Sequence, residues 1–257
     1  MNSGMDPAAP PEHHVTESLA RLERRLGELS ASVERGQQGP TPAWRRVTGA
    51  EHRLPVTLAV LVVIVLQSRV PERLSLVWWW VLPALEAMIL AVLVASNPSR
   101  VDQSTRRLRL LSLLLVSVAS LANAVAAASL VVGLVRGTEG KDAAGLLVIG
   151  GNIWLTNIVV AAIWYWELDR GGPAARAGAE RDRPDFLFPQ MTDSELAADW
   201  EPTFADYLYL AFTNATAFSP TDTLPLSRWS KMAMMLQSAV SLATGALIVA
   251  RAVNILG

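Results

Sequence analysis

The chain is predicted to be an all-α, polytopic membrane protein: five spanning helices and a short re-entrant helix, preceded by an N-terminal amphipathic helix. Three observations carry that expectation. Of its 257 residues 51% are hydrophobic, and a mean hydropathy of +0.31 is too high for an ordinary soluble domain. The apolar residues fall in long blocks set apart by arginine-rich stretches, as spans and loops do. Near the C-terminus a Ser/Pro/Thr/Asp turn lies between two apolar segments. Lipid cannot satisfy the peptide groups of such a turn, so at membrane depth it must be enclosed by protein or water.

Residues 1–50 form a polar region without a span. Its start, MNSGMDPAAPPEHH, has the composition of a disordered tail. Val15, Leu19, Leu22, Leu26, Leu29 and Val33 then follow at alternating spacings of four and three, which predicts a helix over 15–35 with a coiled-coil seam. The seam suits self-association; a helix lying on a membrane surface is the alternative. His13 and His14 read as solvated tail residues rather than metal ligands.

A four-helix membrane domain is expected over 51–168, with spans at 54–67, 74–95, 108–135 and 143–166. Trp78, Trp79 and Trp80 open the second, and Trp164, Tyr165 and Trp166 close the fourth, as interfacial anchors do. Residues 169–203 read as a soluble linker. RGGPAARAGAERDR looks flexible and PDFLFPQM is an apolar island that should dock. Thr192 with Glu195 suggests a capping box opening a short helix through Trp200. The remaining 204–257 is a pore-like hairpin: a short helix over 204–218, the turn, and a last span over 232–256. Alternating the spans puts eleven basic residues on one side (Arg45, Arg46, Arg53, Arg100, Arg106, Arg107, Arg109, Arg170, Arg176, Arg181, Arg183). Four (Arg69, Arg73, Arg136, Lys141) fall on the other, so the N-terminus is expected in the cytoplasm.

Enzyme chemistry finds little support. There is no cysteine, which removes disulfides, thiol catalysis and thiolate metal sites. His13, His14 and His52 all lie outside the spans, so a Ser/His/Asp set is not credible, and no Gly-rich phosphate loop is present. No catalytic residue, metal, cofactor or nucleic-acid partner is expected.

The segment NATAFSPTDTLPLSRWSK, from Asn214 to Lys231, is similar to the pore-helix end, selectivity filter and outer segment of simple bacterial potassium channels. Ala215, Thr216, Asp222, Pro225 and Trp229 match, and Lys231 stands where those channels carry arginine. More widely, WYWELD, PDFLFP and DYLYLAFT resemble a family of bacterial integral membrane proteins, which implies the inner (plasma) membrane. The channel resemblance implies a homo-oligomer, a tetramer being favoured, with monovalent cations and the lipid bilayer as partners. Its pore candidates are Thr213, Asn214, Thr216, Phe218, Ser219, Pro220, Thr221 and Asp222. A potassium filter stacks backbone carbonyls using glycine dihedrals, whereas this chain has Ser219 and Thr221 at those positions and Pro220 between them. A less selective cation path lined by hydroxyls and the Asp222 carboxylate is the expectation. The bland alternative is a helix-connecting turn with Asp222 as N-cap.

Glu86 falls near the middle of the second span, where a charge is costly unless paired, neutral or hydrated. Asn123, Asn152, Asn157 and Gln237 are its polar companions in the apolar blocks and more often act as helix-packing glue. The leading expectation is a channel-like oligomer. A proton-coupled transporter using Glu86 and a non-conducting scaffold or sensor are the alternatives.

Overall fold

The structure, a computed structural model, describes residues 20–30, 41–49, 51–75, 77–96, 106–138, 142–193, 195, 198–216 and 222–256. The chain divides into two units, 1–41 and 42–257. The first contributes helix α1 over 20–30, whose Leu22, Leu26 and Leu29 are all exposed. Val15, Leu19 and Val33 of the expected seam lie outside the described residues.

The second unit is a helical bundle. α2 (Leu54–Ser68) opens with Pro55 in its first turn, where a missing N–H costs nothing. α3 runs Val81–Ser96, which corrects the expected start at 74. A helix from 74 would bury Pro83 in its interior, against the carbonyl four residues back. Starting at Val81 places Pro83 in the first turn and leaves Trp78, Trp79 and Trp80 exposed before the helix. α4 (Arg106–Arg136) ends at Gly137, whose φ of 69° lets Thr138 N–H reach the Gly133 carbonyl at 3.0 Å. α5 (Ala143–Leu168) is the central helix, packed against α2, α4, α7 (Phe204–Thr216) and α8 (Arg228–Leu256), while α3 packs on α2 and α4.

Helices α2 to α5 alternate in direction. The starts of α2 and α4 and the ends of α3 and α5 line one cavity at one end of the bundle, through Arg53, Arg109, Leu93 and Glu167. At the opposite end Val70, Leu74, Leu134, Leu146 and Ile248 share an apolar cluster. Gly150 lets α5 and α8 (Arg228–Leu256) approach closely there, since a Cβ would sit 2.1 Å from Ile248 Cδ1; at Gly151 a Cβ would meet nothing.

Three stretches, Arg106–Arg136, Ala143–Gly171 and Arg228–Arg251, are long and apolar enough to cross a bilayer. This is a helical membrane protein. α2 and α3, of 15 and 16 residues, reach only about 22 and 24 Å at 1.5 Å per residue.

The expected flexible linker is instead docked. Arg170 (φ 53°), Gly171 (φ 88°) and Gly172 (φ 100°) turn the chain out of α5 into the short α6 (Pro173–Ala177), and both Arg170 and Arg176 are buried. A Cβ at Gly172 would lie 2.8 Å from the Glu167 carbonyl, so the turn requires glycine. The PDFLFP island docks as expected: β1 (Phe186–Leu187) pairs antiparallel with β2 (Leu224–Pro225), burying Phe186 and Phe188. The expected capping box does not form. Thr192 Oγ1 bonds back to the Pro189 carbonyl, and Asp193 takes the Glu195 N–H in a local turn; 194, 196 and 197 lie outside the described residues.

Candidate functional site

The C-terminal hairpin is built from α7 (Phe204–Thr216), too short at 13 residues to cross a bilayer, and α8, with α5 behind both. α7 begins level with the end of α5: the Phe204 N–H donates to Glu51 Oε1 at 2.6 Å and Tyr207 OH donates to Asp169 Oδ2 at 2.6 Å. Its other end is held deeper. Asn214 Nδ2 donates to the Met234 carbonyl at 3.0 Å and to Gln237 Oε1 at 2.7 Å, and Asn214 Oδ1 accepts from Ser238 Oγ at 3.0 Å. These partners lie six to ten residues into α8, about 9–15 Å along its axis. From there the chain returns to β2, beside the start of α8.

Gln237 joins the three helices. Its Oε1 accepts from Asn214 and from Tyr165 OH at 2.6 Å, its Nε2 donates to the Ala211 carbonyl at 2.6 Å, and its backbone carbonyl takes Asn157 Nδ2 at 3.1 Å. Asn157 also reaches Ser241 Oγ at 2.8 Å. Every donor of this set meets an acceptor in an apolar surrounding, which is what buried amides require. Four sequence candidates, Asn214, Asn157, Gln237 and Asn123, thus gather around one region; the buried Asn123 lines, with Asn157, Tyr165 and Gln237, a cavity of about 400 Å³ between α4, α5 and α8.

The remaining candidates are dispersed. Thr213 and Thr216 turn their hydroxyls onto carbonyls of their own helix, at 2.9 and 3.1 Å. Asn152 is half-buried on α5, and its carbonyl accepts from Thr156. Phe218, Ser219, Pro220 and Thr221 lie outside the described residues. Asp222 is exposed and does not cap α8, which starts six residues later, where Ser227 Oγ accepts the Ser230 N–H at 3.3 Å. Glu86 is fully buried on α3, and neither carboxyl oxygen has a hydrogen-bond partner among the described residues.

A second assembly, none of whose residues is among the pore candidates, ties the hairpin to the bundle. Glu51 Oε2 accepts from Trp166 Nε1 at 2.6 Å and lies 3.8 Å from Arg176 Nη2. Arg176 Nη1 donates to the carbonyls of Trp166 and Asp169. Asp169 Oδ1 accepts the Asp185 N–H at 2.8 Å. Asp185 in turn accepts from the Arg170 N–H at 2.9 Å and from Trp229 Nε1 at 2.8 Å. Arg170 closes the set by donating to the Arg181 carbonyl and the Trp44 carbonyl. Burial pushes the Glu51 carboxyl above its ordinary range, against the opposing pull of its Trp166, Phe204 and Arg176 partners. A signal was available: Trp166 and Asp169 come from WYWELD, Asp185 from PDFLFP, and Tyr207 from DYLYLAFT, so three separated motifs converge on one lattice.

Among the described residues no group of three or more His, Asp or Glu is placed to hold a metal ion. No family model, curated protein or solved structure matches the chain.

Proposed function

We propose that α5, α7 and α8 are the pore-forming module of an oligomeric cation channel, with α7 as a re-entrant half-helix and 217–223 as the return loop. The observation that carries this reading is the Asn214 clamp. It pins Asn214 part of the way down α8, while β2 lies back beside the start of α8, so the chain between them reverses at a depth where backbone is stable only against protein or a water-filled path. The similarity of Asn214–Lys231 to potassium-channel pore loops points the same way, and the order outer helix, half-helix, inner helix is the one such loops use. Asn214 is then the strut of the pore helix rather than its lining. Ser219, Thr221 and Asp222 supply the polar wall, and their lack of filter glycines favours weak selectivity among monovalent cations. A tetramer surrounds the path, because one hairpin cannot enclose it. α2 and α3 complete five spans by tilting little and snorkelling Arg53 and Arg69, in a bacterial inner membrane with the N-terminus cytoplasmic.

Flux of K⁺, Na⁺, Cl⁻ and H⁺ through liposomes holding the purified protein tests the reading. Cation flux is expected, and Asp222→Asn should lower it several-fold with the melting temperature unchanged, since the side chain is exposed and caps no helix. Absence of flux, or only monomers on crosslinking in the bilayer, ends the channel reading. A second reading rests on Glu86, whose carboxyl, buried and without a hydrogen-bond partner among the described residues, is what a proton-carrying site requires. Proton flux abolished by Glu86→Gln, with other cations excluded, would favour a proton-coupled carrier. A scaffold or sensor remains if neither ion moves.

A further inference from the structure

The end of the bundle where α2 and α4 begin holds a cavity that the pore reading does not use. Its mouth carries two guanidinium side chains from different helices, Arg53 preceding α2 and Arg109 in the first turn of α4, together with Ser112 and the buried Glu167. Ser112 Oγ donates to Glu167 Oε1, which fixes that carboxylate against α4. Deeper in, the lining turns aliphatic, with Val60, Leu93 and Leu115. Two cations against one carboxylate leave a net positive charge in a half-buried site, where it is screened far less than at an open surface. Two helix N-termini, those of α2 and α4, add their positive dipole ends to the same place. The volume is about 60 Å³, room for about four or five water-sized positions at roughly 12–15 Å³ each. That matches the five heavy atoms of a phosphate group and is far too small for an acyl chain.

We propose that this cavity binds the phosphodiester of an anionic membrane phospholipid, with the glycerol and acyl chains lying outside along the bundle. Charge and position select the occupant. The site is cationic, it sits at the end of the bundle where the basic residues concentrate, and its aliphatic floor continues into the apolar blocks. Basic pockets between membrane helices recognise lipid headgroups in this way. Arg53 and Arg109 hold the non-bridging oxygens, Ser112 occupies Glu167 Oε1 with a hydrogen bond, and α2, α4 and α5 are clamped together by the bound lipid. This holds whether or not the hairpin conducts.

The test uses the full chain, delipidated in a mild non-ionic detergent without phosphate, with native mass spectrometry and thermal melting as readouts. Dioleoylphosphatidylglycerol, dioleoylphosphatidylcholine and glycerol 3-phosphate are added at matched concentration. One phosphatidylglycerol retained per chain is expected, with a raised melting temperature, at least tenfold preferred over phosphatidylcholine. Arg53→Gln/Arg109→Gln should lose that retention at least tenfold. Should the double variant fold poorly, Arg109→Gln alone is compared with Arg107→Gln, an exposed neighbour outside the cavity; loss in the first only is expected. Equal retention by wild type and the Arg109→Gln protein overturns the site. Equal retention of phosphatidylcholine overturns its anionic selectivity, and an equal shift from glycerol 3-phosphate assigns the cavity to soluble phosphate instead.

Discussion

The Gln237 side chain ties α8 to both α5 and α7, through Tyr165, Asn214 and Ala211. Replacement by leucine keeps the volume approximately and removes the acceptor shared by Tyr165 and Asn214 and the donor to Ala211. Membrane-buried hydrogen bonds contribute about 0.6 kcal/mol each, and stranding buried donors adds to that. Gln237→Leu is therefore expected to cost about 2 kcal/mol, read as denaturant or thermal unfolding in mild detergent; an unchanged midpoint would show that the clamp does not hold α7. Glu51 supplies a pH signature. Its folded carboxyl titrates above its unfolded value because burial outweighs its donors. The folded chain thus keeps a proton that the unfolded chain has released, and the associated stability is complete below the unfolded value and lost as pH rises through the folded one. Melting temperature should fall with rising pH across that window, and Glu51→Gln should flatten the slope even though the variant is less stable overall.

At the scale of elements, helix–helix approach rather than hydrophobicity fixes the packing, since lipid is as apolar as the core. Gly150 and Gly151 are neighbours in sequence with opposite roles: only Gly150 faces Ile248. Gly150→Val should drive α5 from α8 and cost about 1–3 kcal/mol as an overpacked contact. Gly151→Val should leave the unfolding midpoint within error of wild type. The elements legible in the sequence were those set by local pattern: the long apolar helices α4, α5 and α8, and the half-length α7. The misread ones depend on distant partners. Gly and Ala make 170–183 look flexible, yet Arg170 and Arg176 are held by Trp44, Trp166 and Glu51, contacts that no local window contains. α3 was misplaced for the opposite reason, a local one: continuous apolarity through Trp78–Trp80 masked the rule that Pro83 must sit in a first turn.

Across the whole molecule, the basic residues sort by end. The shared cavity places Arg53, Arg109, Glu167 and Pro173 at one end of the bundle, and the lattice adds Arg170 and Arg176 to it. Arg136 and Gly137, at the far end of α4, belong to the opposite end. Among the described residues named, that sorting runs in the same sense as the eleven-to-four asymmetry counted along the sequence, and it makes orientation testable without a functional assay. The chain has no cysteine, so a single introduced thiol reports its own compartment. If the arginine-rich end faces the cytoplasm, as the positive-inside rule requires, Ser104→Cys should resist a membrane-impermeant maleimide in intact cells and label only after permeabilisation. Thr138→Cys, exposed just beyond α4, should label at once. The reverse pattern would turn the molecule over and set the return loop facing outward, the orientation of potassium-channel pore loops, while both sites protected would mean that α4 does not cross.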